Sequence, residues 1–492
     1  MIIILSYIVL FFYSLAIILI FLYGLAQFNL LINYYKSKKI LQLRQKWNFS
    51  EPEDFPLVTI QLPIFNEKYV VNRLLNSIAK IEYPIDKLQI QVLDDSTDDS
   101  IIETKAIIKK LQNSGLNITH HCRKNRIGFK AGALKEGLIT ATGEFIAVFD
   151  ADFVPKSDWL LQTIPYFKDE KIGVIQTRWT HLNRDYSLLT KIQAFALDAH
   201  FTLEQTGRNS KKHFINFNGT AGVWRKECIY DAGNWESDTL TEDLDLSYRA
   251  QLKKWEFIYL EDVETPAELP AIISAARSQQ FRWNKGGAEN FVKNIKKVLL
   301  SDIISAKTKF HGFLHLLNSS MFLCIFAMAI LSVPILLVKT QLYQLDFYFD
   351  FMAFFILTSI LFFISYWYSY QYLHGRSFKN FIKFTGLFFI FYSIAMGFSF
   401  QNSIAVLEGL FGKKSEFVRT PKFNIEALKE RWKENIYISK TISRNTIIEA
   451  LLILYFMFGI GLGFYLNDYG LVPFHLMLII GYSYIVVQSV KQ

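Results

Sequence analysis

The chain has 492 residues, of which 51% are hydrophobic, 16% aromatic and 20% charged, with a formal net charge of +9. Ordinary soluble chains carry about 25% charged residues, and with a mean hydropathy of +0.19 this composition excludes disorder, collagen-like repeats and a coiled coil. The basic excess lies beside apolar runs rather than in one block, which points to a membrane surface before nucleic acid.

Residues from Ile2 to about Ile32 form an apolar run with no charge before Lys36, longer than the roughly 20 residues that cross a bilayer. No basic n-region precedes it and no small-residue cleavage site follows, so the run reads as an uncleaved anchor rather than a signal peptide. Its flank carries Lys36, Lys38, Lys39, Arg44 and Lys46, which places the next segment on the cytoplasmic side. Residues 1–50 are therefore expected to be an anchor and a basic linker.

From 51 to 300 the pattern changes to short β-rich runs at Val58–Leu62, Leu88–Leu93, Phe145–Phe149, Ile172–Gln176 and Phe257–Leu260. Helical stretches such as Val70–Ala79 and Ile101–Leu111 separate them, the pattern of an α/β sheet with parallel strands. Ligands of such sheets gather at the C-terminal ends of the strands. Asp94-Asp95 and Asp150-Ala151-Asp152 stand at two such ends. Two carboxylates one residue apart suit one hard divalent cation, Mg²⁺ or Mn²⁺, with positions left for water and phosphate oxygens; a solvated acidic turn has the same spelling. Asp94 and Asp95 are alternatively a turn with a helix cap. Lys130 begins a small-residue turn into a helix, a geometry that suits an anionic phosphate. Farther on, Thr241-Glu242-Asp243 offers a base for a sugar hydroxyl, its pKa raised by neighbouring carboxylates. Gln279-Gln280-Phe281-Arg282-Trp283 offers a guanidinium fork for phosphate and an indole for a sugar face. Each motif has a bland reading as a cap or surface helix; five in order make that joint reading weak.

After residue 300 apolar runs return at Leu317–Val338, Phe351–Leu373, Phe384–Phe400, Thr446–Leu466 and Leu471–Val490. The loops 374–383 and 412–444 are both basic and should share the cytoplasmic side, which one span cannot connect. The run at 384–400 is therefore expected to be an interfacial or re-entrant helix, within about 375–408, leaving five crossings. The three cysteines, Cys122, Cys228 and Cys324, are far apart and imply neither a disulfide framework nor a zinc site.

The order Asp94-Asp95, Asp150-Ala151-Asp152, Thr241-Glu242-Asp243 and Gln279-x-x-Arg282-Trp283 resembles the D, DxD, TED, QxxRW set of family 2 processive glycosyltransferases, which contain cellulose, hyaluronan and chitin synthases. Phe149–Phe153, Asp198–Gln205 and Phe217–Arg225 bring the resemblance closest to the cellulose-synthase-like A type, the glucomannan synthases, and their bacterial relatives. It covers nearly all of 51–295. It implies a GT-A fold, a Rossmann-like nucleotide-sugar-binding domain in the cytosol over residues 51–300, joined to an α-helical transmembrane bundle over 301–492. Carried across by position, Glu67, Asp94, Asp95, Lys130, Asp150, Gln279 and Arg282 would bind the nucleotide sugar. Asp150 and Asp152 would hold the metal, Asp243 would be the general base, and Asn218, Gly219, Thr220 and Trp283 would border the acceptor. A gating-loop motif, Phe-x-Val-Thr-x-Lys in cellulose synthase, is matched within 412–425 by Phe417, Thr420 and Lys422, with Arg419 in place of the valine.

The resemblance implies an inverting enzyme of the inner or plasma membrane that moves a hexose from UDP-glucose or GDP-mannose to a β-linked glycan acceptor. A polymer's hydroxyls cannot cross hydrocarbon without losing hydrogen bonds, so the bundle is expected to form an export channel, in which Tyr366, Trp367, Tyr368 and Tyr370 are either sugar-stacking walls or, as Tyr and Trp at span ends usually are, interface anchors. Two competing expectations are single-sugar transfer to a membrane lipid and, from another class, a non-catalytic transporter or scaffold. A nucleic-acid partner has no motif behind it; donor identity, linkage, primer and oligomeric state stay open.

Overall fold

The computed structural model describes residues 2–37, 46–49, 51–415, 417–425 and 443–491. The basic residues Lys38, Lys39 and Arg44, and the 426–442 part of the basic loop, lie outside them.

Seven strands form one sheet: β1 (Val58–Ile64), β2 (Leu88–Asp94), β3 (Ile118–Cys122), β4 (Phe145–Val148), β5 (Ile172–His181), β6 (Gly222–Arg225) and β7 (Glu256–Ala267), in the order β3-β2-β1-β4-β6-β5-β7. Helices cover both faces, so β4 is buried along its whole length and reads as an unbroken apolar run. On β1, Val58, Ile60 and Leu62 are buried on one face, each worth about 1.5–3 kcal/mol relative to exposure. The other face of β1 is polar but equally dry. There Thr59 donates to Gln89 at 2.8 Å and Gln61 to Gln91 at 3.0 Å, a side-chain ladder that pairs most of the buried polar groups between the two strands and leaves Gln61 Oε1 without a partner among the described residues.

The α/β sheet with parallel strands is present, with one strand reversed. β1, β2, β3 and β4 are mutually parallel and β5 is parallel to β7, but β6 runs antiparallel to both β4 and β5. The reason is where the chain enters: Asn218–Ala221 arrives at the C-terminal edge of the sheet, the Ala221 N–H donates to Val148 O at 2.9 Å, and the strand can only continue backwards. β3 and β6 carry little apolar alternation, which is why neither stands out in the sequence.

After β7 the chain enters the helix Ile273–Leu300. Among the described residues six helices are long and apolar enough to cross a membrane, including Phe378–Gly397. Their ends are marked by polar contacts. Near the α/β domain, the Tyr34 hydroxyl donates to Glu261 at 3.0 Å, and Arg277 donates to Glu449 at 2.8 and 3.0 Å and to Ser489 at 3.1 Å. At the far end Lys339 pairs with Asp468 at 2.7 Å, and Ser14 meets Tyr348. The helix Phe378–Gly397 lies along the domain helix Leu188–Ala199: Phe195 packs on Phe384 and Phe391 with ring centroids 5.9 and 5.3 Å apart, while Ile394 shares a cluster with Leu189 and Ile192. It is followed directly by Ser399–Leu410, whose Gln401 and Glu408 bond Arg277 and Lys285 of the Ile273–Leu300 helix.

Candidate active site

A cavity opens at the C-terminal ends of β1, β2 and β4 and is closed by residues from three distant parts of the chain. β1 contributes Phe65 and Glu67, β2 contributes Asp95, and β4 contributes Asp150, Ala151 and Asp152. Asn218 and Gly219 enter from the turn before β6, and Thr241, Glu242 and Asp243 from the first turn of the helix Glu242–Leu252. Gln279, Arg282 and Trp283 come from the helix Ile273–Leu300, and Phe417, Arg419, Thr420 and Lys422 from the segment beyond the bundle's fourth apolar run.

The centre of the cavity is held by Lys130. The residue before its helix, Gly128, has φ +74°, and Phe129 follows at φ +48°; this turn aims Lys130 inward, where its Nζ donates to Asp150 Oδ1 at 2.5 Å and to Gly219 O at 2.8 Å. Burial alone would lower the Lys130 pKa, but Asp150 and Glu242 outweigh it and hold the ammonium above its usual value. Gly219 itself has φ +79°, and a Cβ there would stand 3.2 Å from Asp243 Oδ2. Only glycine both adopts this turn without strain and leaves the Asp243 carboxylate room. Thr220 is fully buried beneath it and accepts the Asp150 N–H at 2.8 Å, so it supports the acidic turn rather than facing the cavity.

Asp243 sits at a helix N-terminus, a favourable place for a carboxylate. Burial and the neighbouring Glu242 nevertheless push its pKa up to about 7, against the opposing pull of Lys130. Arg282 faces Asp150, Glu242, Asp243 and Asp152, while burial lowers its own pKa. The helix that carries Arg282 is pressed directly on the turn that carries Asp243: a Cβ at Gly286 would come within 2.6 Å of Thr241 Oγ1, and Asn290 Nδ2 donates to Thr241 O at 3.1 Å and Oγ1 at 2.9 Å. Asp243 and the Arg282 guanidinium are thus fixed relative to one another.

The acidic turn after β4 fits a hard cation. Asp150 and Asp152 line one cavity, and the buried Asp152 Oδ1 has no hydrogen-bond partner among the described residues. Asp152 Oδ2 accepts from Lys422 Nζ at 2.7 Å, so an ammonium already occupies the side of Asp152 where positive charge is wanted. Among the described residues two groups of three potential ligands lie elsewhere: Asp94, His120 and Cys122 at the sheet edge, and Glu236, Asp238 and Asp245, all three within 3.1 Å of Lys293.

Most of the sequence-derived residues meet here: Glu67, Asp95, Lys130, Asp150, Asp152, Asn218, Gly219, Asp243, Gln279, Arg282, Trp283, Phe417, Thr420 and Lys422 all line the cavity. Asp94 is not among the lining residues. Its carboxylate turns to the edge strand, bonding His120 Nε2 at 2.8 Å and accepting the Ser96 N–H at 2.9 Å. Asp95 does reach the cavity, gripped by Arg123 at 2.7 and 2.5 Å. Arg126, which also lines it, lies 3.3 Å over the Phe65 ring and was not singled out in the sequence. The basic run Arg123-Lys124-Asn125-Arg126 was its only signal.

Residues 56–286 match glycosyltransferase like family 2, so the α/β part of the chain is similar to the glycosyltransferases of that family. The chain is 43% identical over 266 residues, 53% of its own length and 48% of the relative's, to a protein of Oryza sativa subsp. japonica called probable glucomannan 4-beta-mannosyltransferase 4. It is 40% identical over 282 residues, 56% of this chain and 53% of the other, to glucomannan 4-beta-mannosyltransferase 1 of Cyamopsis tetragonoloba. The chain spans about half the length of these curated relatives. Among solved structures, the mannosyltransferase PcManGT from Pyrobaculum calidifontis, in complex with GDP-Man and Mn2+, superposes with a TM-score of 0.53 at 20% identity, covering 82% of this chain and all of that one. This establishes the shared GT-A fold.

Proposed function

We propose that the chain is a membrane-embedded, inverting hexosyltransferase that extends a β-linked polysaccharide from a nucleotide sugar. The observation that carries the reading is the convergence of Asp243, Lys130, Asp150 and Arg282 on one cavity. The names of the plant relatives favour a mannosyl donor, GDP-mannose, over UDP-glucose.

In this reading the acceptor hydroxyl lies against Asp243, which takes its proton as the oxygen attacks the anomeric carbon; a carboxylate with a pKa near 7 is matched to that task at neutral pH. The departing diphosphate is received by Lys130 and Arg282. Asp150 and Asp152 would hold a divalent cation, Mg²⁺ or Mn²⁺, which when bound supplies Lewis-acid neutralisation of that diphosphate. Trp283, next to Arg282 on the helix and lining the same cavity, would stack on the acceptor sugar, with Asn218 and Gly219 bordering it.

Five crossings, with the α/β domain cytoplasmic, complete the proposal. Its support is that the helix Phe378–Gly397 contacts the domain helix Leu188–Ala199 through residues along its length and then passes into Ser399–Leu410, bonded to the Ile273–Leu300 helix. Both of its ends therefore stay near the domain, as an interfacial helix would. A hydroxyl-rich polymer cannot cross hydrocarbon without losing hydrogen bonds, so elongation coupled to export is the natural use of the adjoining bundle.

The test is to incubate membranes containing the chain with labelled GDP-mannose and UDP-glucose separately, then digest insoluble product with linkage-specific glycanases. Polymer from GDP-mannose cleaved by a β-mannanase is expected. Label recovered only in a chloroform-soluble lipid would replace the polymer reading with lipid glycosylation.

A further inference from the structure

The segment that closes the cavity from beyond the bundle makes two different kinds of contact. Lys422 meets Asp152 at 2.7 Å, and Phe417 lies between the Phe129 ring, 5.9 Å away, and the Arg282 guanidinium, 4.6 Å away. Both touch groups that the proposed reaction needs for the donor, so both contacts must loosen when a sugar diphosphate enters. Arg419 behaves otherwise. Its Nε and Nη2 fork onto the two oxygens of Glu67 at 3.0 and 3.1 Å, with side chains only 12% and 9% exposed. Bidentate, largely desolvated pairs of this kind are directional as well as strong.

Glu67 is a fixed point. Its carbonyl accepts the Val70 and Val71 N–H groups at 3.1 and 3.0 Å, tying it to the start of the helix Val71–Ile78. The same helix anchors the other end of the segment. Arg73 donates to Glu268 at 2.9 Å and to Asn424 Oδ1 at 2.9 Å, and Glu268 in turn accepts the Phe423 and Asn424 N–H groups at 2.7 and 3.0 Å. Lys422 is therefore suspended between two attachments, neither of which uses a group assigned to the diphosphate or the base.

We propose that Arg419 and Glu67 form a mooring that holds segment Phe417–Lys422 as a wall of the donor cavity before any donor arrives, with Lys422 the member that yields. This makes Arg419 a positioning residue and gives Glu67 a loop-holding role in place of direct nucleotide contact. The inference rests on the proposed transferase reading for its kinetic consequence, but not for its structural one.

The experiment measures hydrogen exchange over peptides covering 417–425 in the full-length protein in lipid nanodiscs, without donor, for wild type, Arg419→Val, Glu67→Gln and the swap Glu67→Arg with Arg419→Glu. Losing one partner of a buried charge-assisted pair should speed exchange about tenfold or more in each single variant, and the swap should slow it again. Arg419→Lys should fall between wild type and valine. With donor present, Arg419→Val should raise the donor KM more than it lowers kcat. Wild-type exchange in Arg419→Val overturns the mooring, as does a loss confined to kcat, which would place Arg419 on the reacting groups. Should the wild-type protein transfer no sugar at all, the function reading fails while the exchange result still decides the mooring.

Discussion

After β2 the chain sets Asp94 and Asp95 at the edge of the sheet; after β4 it sets Asp150 and Asp152 at the same edge, two strands away. In sequence the two turns look alike. In the fold the first is committed: Asp94 is bonded to His120 and the Ser96 N–H, and Asp95 is forked by Arg123, with all these groups supplied from within 28 residues. In the second, Asp150 is held by Lys130 from 20 residues away, while Asp152 is left expectant: among the described residues one of its oxygens lacks a partner and the other is held by Lys422 from 270 residues away. Beside it Asp243 is pushed up to about 7 because Glu242 and burial outweigh Lys130. The contrast teaches that a carboxylate's role follows from which cations reach it: a near, rigid guanidinium makes a wall, while a distant, exchangeable ammonium leaves a site open to ligand.

The sharpest way to break this contrast is Asp243→Asn, expected to lower kcat by about 10² to 10⁴ while folding is kept; labelled-sugar incorporation by purified protein at wild-type rate would remove Asp243 from the chemistry. Next in size, Asp152→Ala should cut transfer by at least about tenfold to a hundredfold at limiting divalent cation. A cation titration should show the half-saturating concentration rising. An Asp152→Ala enzyme with an unshifted titration curve would make the second turn as inert as the first.

The pH dependence carries its own sign. A base whose pKa is raised to about 7 is protonated, and so idle, below that pH; transfer should therefore fall about tenfold per unit as pH drops from 7 to 5 and level off above 7. A profile flat down to pH 5 would mean that the Glu242–Asp243 pair is ionised there and is not the titrating base. The smallest effect belongs to the first turn. Asp94→Asn keeps the shape and the Ser96 hydrogen bond, so thermal melting should show a loss of only about 1 kcal/mol, with the donor KM unmoved. A large rise in KM would restore Asp94 to the donor site.

Much of the fold was legible because local rules decide it. The strand at Val58–Ile64, the helix at Ser100–Asn113 and the apolar helices at Ser320–Gln341 and Arg444–Tyr465 follow from period-2, period-3.6 or uniformly apolar patterning. β3 escaped because Ile118-Thr119-His120-His121-Cys122 has one strongly apolar residue, and β6 because a four-residue strand beginning at Gly222 gives no period to read. Arg126 escaped because nothing in a basic run says which cation will lie on Phe65.

What the chain alone determined is the set of chemical groups and their placement on turns: carboxylates after apolar strands, a lysine at a glycine-led helix start, an arginine and tryptophan one turn from a glutamine. These are short-range consequences of backbone geometry. Which carboxylate would face the cavity, that β6 must run backwards to deliver Gly219 beside Asp243, and that Arg419 would find Glu67 from 352 residues away were decided only by tertiary packing. Electrostatic partners act over a few ångströms, and the separation along the chain carries no information about that distance.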